Sequence, residues 1–388
     1  ADLEGFSATL TGLIMSTFYL GFLLGSIMTP RITINVGHIR VFAAFAAVSS
    51  AAILIHALVV TVPVWIAMRL ISGFCFAGLY IVAESWLNDR ASNETRGKLL
   101  SMYMVVTYIG IGAGQLLLNL ANPVEFQLFI LTSILISVAV VPLLLSAGSP
   151  PAFHDSVRIS LFELFRLTPL GIVSMFAVGL VTATFFALGP VYAQRIGLNI
   201  RDTAYFMTAA VIGTVLLQGP IGVLSDRFDR RKVLTLVTIL TSVTALICIP
   251  AEQVSTPVLF MAIALFGGLA FPLYSVCIAY TNDHLKPNQM IAASGSLVLV
   301  SGLGAIAGPL LVAMIMDTYG NQAMFWSIAA VHGLMGVFAI YRMIRSAPVP
   351  LEKLGPSTAS AVHPSGSALE SIQQYTHDET EFDLEDDR

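Results

Sequence analysis

The chain has 388 residues, of which 56% are hydrophobic and 11% charged, and its mean hydropathy is +0.83. Soluble domains carry about 25% charged residues, so this sequence cannot build a water-facing surface and most of its exterior must face lipid. The net charge of −4 comes from an acidic end, Glu352, Glu370, Asp378, Glu379, Glu381, Asp383, Glu385, Asp386 and Asp387 against Lys353 and Arg388, and no basic patch interleaves with aromatics as a nucleic-acid surface would.

The chain opens on Ala1 without a charged segment ahead of an apolar run, so no signal peptide is visible. A bilayer core of about 30 Å needs about 20 apolar residues of helix. Eleven segments satisfy this: 7–28, 41–60, 63–85, 99–120, 125–146, 168–192, 203–224, 233–250, 256–280, 290–316 and 321–343. They are too long for barrel strands, and a lipid-facing segment must satisfy its own backbone, so they are helices. The predicted class is all-α, a polytopic membrane helical bundle.

Lys and Arg fix the expected orientation. With the C-terminus in the cytoplasm, 16 of the 19 fall on the cytoplasmic side, Arg195 and Arg201 fall opposite, and Arg69 lies within a span. Eleven crossings then place Ala1 outside. A first helix lying before Ala1 would restore an even count.

In chain order, the first loop carries Gly25, Pro30, Arg31, Gly37 and Arg40. The third span carries Arg69, Gly73, Phe76, Tyr80 and Glu84. Arg69 lies about 10 Å deep, and Glu84 follows fifteen residues later, about 22 Å away, too far to pair with it. A buried Arg usually faces the bundle or a water-filled cavity. Its partner is an anionic solute group, an acid on a preceding helix, or backbone carbonyls. Glu84 is open to protonation or to pairing with Arg31 or Arg40. The fourth span holds Gly110, Gly112 and Gly114, where small residues allow close helix contacts.

Gly148, Ser149, Pro150 and Pro151 open a linker over 148–167, and its Leu161–Arg166 stretch reads as a short interfacial helix or an irregular segment. After the seventh span comes Gly222-Val-Leu-Ser-Asp226-Arg227-Phe-Asp229-Arg230-Arg231-Lys232. Phe186, Phe271 and Tyr274 lie on later spans, and Gly304, Gly308 and Pro309 on the tenth. Cys75, Cys248 and Cys277 sit in apolar runs and read as packing residues, and so do His56 and His332. No HExxH, paired intramembrane Asp or Ser-Lys pattern occurs, so no enzyme, metal or cofactor is expected. The Ser-, Pro- and acid-rich end from 346 should be disordered.

The chain repeats itself at an offset of 194. Gly73, Leu79, Tyr80, Asn88 and Asp89 match Gly267, Leu273, Tyr274, Asn282 and Asp283, and Gly110, Gly114 and Leu116 match Gly304, Gly308 and Leu310. An offset of 197 pairs Gly25 with Gly222. Two halves follow, 1–147 and 168–345, joined by the linker and ending in the tail 346–388. Parallel repeats are a geometry of alternating-access transporters.

The Gly222–Lys232 segment resembles the G-x-L-x-D-R-x-x-R-R signature of the major facilitator superfamily, between its helices 8 and 9. Arg69 with Gly73 looks like that family's R-x-x-x-G. Gly110 to Gly114 looks like an exporter motif with Gln115 in place of proline, and Gly304 to Pro309 is closer to it. Glu84-Ser-Trp-Leu-Asn88, Arg96-Gly97 and Gly37-His-Ile-Arg40 resemble the YcaD-like bacterial branch. In the first-half copy, Thr29 stands where an acid is usual.

The resemblance implies two six-helix halves lacking the first helix here, and a monomer in the bacterial inner membrane with no nucleic-acid partner. It implies a secondary transporter, an exporter of small organic or amphipathic solutes with or without proton coupling; a uniporter or channel-like protein is the alternative. It also implies a cytoplasmic gate at Asp226, seated on the helix start near Thr95–Lys98, with Arg227, Arg230 and Arg231 pairing with Asp283. Phe76, Tyr80, Phe186, Phe271 and Tyr274 would line the solute cavity.

Overall fold

The structure, a computed structural model, describes residues 4–90, 93–122, 125–145, 161–285 and 287–345. The linker before 161 and the tail after 345 lie outside the described residues, with the expectations attached to them. The helices are α1 (Ala8–Val36), α2 (His38–Leu58), α3 (Val62–Arg90), α4 (Asn93–Leu116), α5 (Gln127–Leu145), α6 (Leu161–Leu167), α7 (Pro169–Arg195), α8 (Ile200–Arg227), α9 (Arg230–Val254), α10 (Thr256–Ala270), α11 (Leu273–Asn282), α12 (Pro287–Tyr319) and α13 (Ala323–Arg345).

The eleven predicted spans all fall on helices, with α10 and α11 sharing one. Among the described residues, ten stretches are helical, long and apolar enough to cross a membrane, and α4 adds a shorter apolar stretch, Val105–Asn119. The seven-residue α6 takes the place of the expected interfacial helix. The ninth predicted span, 256–280, breaks at Phe271 and Pro272. Proline has no N–H to donate and crowds the carbonyl four residues back, so the helix restarts at Leu273.

The first loop is much shorter than predicted. Helix α1 continues to Val36, so Gly25 and Arg31 are helical and the turn is Gly37 alone, at φ +94°. That left-handed backbone favours glycine. Helix α8 likewise includes Gly222 and Asp226 and ends at Arg227.

Helix starts define the internal register. Ala8 and Ile200 open α1 and α8, and His38 and Arg230 open α2 and α9, both pairs 192 residues apart. Val62 and Thr256 open α3 and α10, and Asn93 and Pro287 open α4 and α12, both 194 apart. The 194-residue repeat therefore holds for the later helices, while 192 replaces 197 for the first pair. Gly25 corresponds to Leu217, not to Gly222, and Ile34, not Thr29, stands where Asp226 stands.

Close helix crossings use this register. A Cβ on Gly21 would strike the Leu70 carbonyl, and one on Gly73 the Phe18 carbonyl. The α8–α10 crossing repeats this, with Gly213 against the Ala264 carbonyl and Gly267 against Ala210. Gly304 and Gly308 press on the Phe176 and Leu180 carbonyls of α7. Gly110 and Gly114, expected to do the same, have nothing within 4 Å of an added Cβ.

Burial ranks the helices. In the apolar window of Thr256–Asn282, 83% of residues are buried inside the protein, against 11% for Gln127–Leu145. Helix α5 therefore faces outward, and α7, α10 and α11 are the most buried.

Candidate functional site

One end of the bundle gathers ion pairs around the α8–α9 turn. Asp229 caps α9, accepting the Arg231 N–H at 3.0 Å, and Arg231 Nη2 also binds it at 2.9 Å. Burial alone would raise the Asp229 carboxyl, but these bonds and the arginine charge outweigh it and hold it below the ordinary value. Arg230, only 2% exposed, reaches across to the end of α11. It donates to the Ala279 carbonyl at 3.2 Å and to Asp226 at 3.0 Å, and pairs with Asp283. Asp226 sits at a helix C-terminus, where the dipole disfavours an anion; Arg230 offsets that. Arg227 faces outward. Of the three arginines expected on Asp283, Arg230 makes that pair and Arg231 turns to Asp229. The expected seat of Asp226 at Thr95–Lys98 involves side chains outside the described residues.

The first-half copy puts a different residue at the same place. In the structural register His38 corresponds to Arg230 and Ser85 to Ala279. His38 is buried at 3%, and its Nε2 lies 3.3 Å from Ser85 Oγ. Arg31 and Arg40 are exposed on either side of Gly37. His38→Ala is expected to cost less than Arg230→Ala by thermal unfolding, because it leaves no buried charge without its partner. A loss as large as that from Arg230→Ala would mean that the two copies bear equal load.

The opposite end holds a second set of contacts between distant parts of the chain. Asp317 of α12 accepts the backbone N–H of Ala8 at 3.2 Å and of Thr9 at 2.8 Å, and the Thr9 hydroxyl at 2.7 Å. Ser7 accepts the next N–H, from Leu10. These three donors lack partners inside the helix, and a carboxylate suits the positive N-terminus of α1. Arg195 of α7 lies 3.4 Å from the same carboxylate. Asp317 and Thr9 did not stand out in the sequence, because nothing local ties Thr9 to a residue 308 positions later.

Two cavities lie between these ends. The smaller, about 30 Å³, is lined by Tyr19, Phe22 and Ser26 of α1, Phe186 of α7, Tyr274 of α11 and Ser301 of α12, among others. The larger, about 330 Å³, lies between α1, α3, α7 and α8 and is lined by Arg69, Trp65, Phe186, Gln194 and Thr203 with apolar neighbours. Phe186 lines both, and Phe271 stacks on it at 5.2 Å. Phe76 and Tyr80, expected in the cavity, line neither. They stand behind the first aromatic layer, 6.4 Å from Phe18 and 6.3 Å from Phe22. The layer in front comes from α1, whose Tyr19, Phe22 and Ser26 follow helical spacing and could have been found by it.

Arg69 lines the larger cavity, and its Nε is buried with no hydrogen-bond partner among the described residues. Glu84 is 1% exposed and accepts the Tyr103 hydroxyl at 3.1 Å. All three cysteines are buried and free. Among the described residues no cluster of His, Cys, Asp and Glu could hold a metal.

A profile of the Major Facilitator Superfamily matches residues 3–214 and 200–373. The MFS-type transporters YcaD of Escherichia coli (strain SE11) and of Shigella sonnei (strain Ss046) are each 27% identical over 330 residues, covering 84% of this chain and 85% of the relative. The solved structure of the nucleoside transporter NupG is similar at a TM-score of 0.72 with 13% identity, over 89% of this chain and 92% of that one. A bacterial homologue of the human lysosomal transporter Spinster, inward-facing and occupied, is similar at 0.66 with 14% identity, over 91% and 92%. The chain belongs to the major facilitator superfamily and is YcaD-like in sequence, a multi-pass membrane protein of a transporter family.

Proposed function

We propose that this protein is a secondary active transporter that moves a small organic or amphipathic solute by alternating access. The moving bodies are residues 1–147 and 168–345, joined by the 148–167 linker, in a bacterial inner membrane with the C-terminus in the cytoplasm. The Lys and Arg distribution supports that orientation. One observation carries the reading. Cavities walled by both halves lie between two sets of polar contacts, one around Arg230 and one around Asp317. Only the Asp317 set joins the halves directly among the described residues, and it would close the outer mouth. The charge cluster around Asp226 and Arg230 would serve the inner one.

The test is to lock the outer contact. In a Thr9→Cys, Asp317→Cys variant, oxidation should form a disulfide across the halves. Flux is then followed in proteoliposomes with uridine, benzoate and tetraphenylphosphonium as neutral, anionic and cationic probes, with and without a pH gradient. Oxidation is expected to stop the flux of whichever probe is carried, and reduction to restore it. Flux that ignores the disulfide, or equal passage of all three probes, would speak for a channel instead.

A further inference from the structure

We propose that Arg69 makes the larger cavity selective for solutes with an oxyanion head group, a carboxylate, sulfonate or phosphate ester, on an apolar body. The inference deepens the transport reading above and rests on it.

The side chain sits seven residues into α3, about 10 Å from its start. A guanidinium stays charged under all ordinary conditions. Removing it from water is costly unless something neutralises it and takes up its N–H groups. Its Nε is buried and unpartnered among the described residues. Four carboxylates at this end of the bundle are committed elsewhere, and Glu4 is exposed at the surface. Glu125 binds Gln127 at 2.6 Å, Asp202 binds Asn199 at 2.8 Å, Glu252 binds Gln322 at 2.6 Å, and Asp317 binds Thr9. None of them lines the cavity. Glu84, on the same helix, is fifteen residues further along, about 22 Å away.

The rest of the cavity fits the other part of such a solute. Trp65, Leu118 and Phe186 give it apolar and aromatic walls, and Gln194 and Thr203 give it neutral polar groups. One fixed positive charge in a mostly apolar chamber of about 330 Å³ discriminates by charge at one point and by shape elsewhere. The planar guanidinium fork matches two oxygens of an oxyanion at once, which a neutral amide cannot do.

The experiment is thermal unfolding of the purified full chain with benzoate, benzenesulfonate or phenyl phosphate, and with the neutral benzamide and benzyl alcohol. At least one anion should raise the midpoint by several degrees, as binding to the folded state requires, while the neutral compounds leave it unchanged. Arg69→Gln, which keeps a planar donor without the charge, should abolish the shift. Arg69→Lys should retain part of it, and it serves as the second variant if Arg69→Gln does not fold. The proposal fails if no anion stabilises the wild type, as it would if a carboxylate of the chain already neutralised Arg69. It also fails if benzamide matches benzoate, or if Arg69→Gln responds like wild type. Flux of uridine in proteoliposomes alongside such a failure would remove the anion selectivity while leaving the transporter reading intact.

Discussion

Replacing Arg230 with alanine is expected to abolish transport and to destabilise the purified protein by about 3–5 kcal/mol, the usual cost of breaking a buried ion pair by removing one partner. Both sides of the pair are shielded, with side-chain exposure of 2% for Arg230 and 4% for Asp283. The variant would leave Asp283 buried beside Asp226 and Asp229 with no other cation in contact among the described residues. It would also remove the donor to the Ala279 carbonyl and the charge that offsets Asp226 at the end of α8. Arg230→Lys should recover charge but not the fork that reaches three acceptors, and should fall between the two. Arg230→Ala with Asp283→Asn should lose less than Arg230→Ala alone, because no uncompensated charge remains.

The loss should also depend on pH, with a definite sign. Burial raises the Asp283 carboxyl to about 7 even beside Arg230, against about 4 in an unfolded chain. A raised carboxyl favours the folded state when protonated, so its contribution is fully present below about pH 4 and is lost as pH rises through about 7. Without Arg230 the native value rises further. The destabilisation of Arg230→Ala should therefore be largest near pH 8 and shrink toward pH 5. A penalty that is the same at both would show that Asp283 is not the group left stranded.

The crossings were legible because lipid leaves one solution to the backbone problem, and a run of about 20 apolar residues states it openly. The repeat was legible where small residues are forced by contact. Gly73 and Gly267 match at 194 because each meets a carbonyl at the same crossing. The first-pair register was misread because Gly25 and Gly222 look alike in sequence while doing different things. Gly25 packs on Phe74, and the position that packs on Gly268 is Leu217. Helix ends, not glycines, fix that register, and the continuation of α1 to Val36 through polar residues carries no apolar signal. Asp283 could be chosen for Arg230 because both fall just outside predicted spans at the same end. Asp317 could not be chosen for Thr9, since that contact depends on how α1 and α12 lean together. The cavity was half legible: aromatics on α7 and α11 stood out, while Tyr19 and Phe22 were hidden in an apolar span.

Gly73→Ala is expected to be among the most damaging single-methyl changes in the chain, and Gly110→Ala among the most harmless. Both glycines fall in the internal repeat. At Gly73 the added carbon would overlap the Phe18 carbonyl and press on the Phe22 N–H, and both belong to the backbone of α1. No rotamer change relieves a clash with backbone, so α1 and α3 must separate. Separation would also undo the reciprocal fit of Gly21 on Leu70 and Gly25 on Phe74. Overpacking costs about 1–3 kcal/mol where side chains can adjust; a backbone clash on this interface should cost 3 kcal/mol or more. At Gly110 nothing lies within 4 Å of the new carbon, and alanine is the better helix former by up to about 1 kcal/mol. Unfolding midpoints of the two variants should therefore move in opposite directions. A loss at Gly110 comparable to that at Gly73 would mean that a further helix seats on α4 there, as α7 seats on Gly304 and Gly308 of α12.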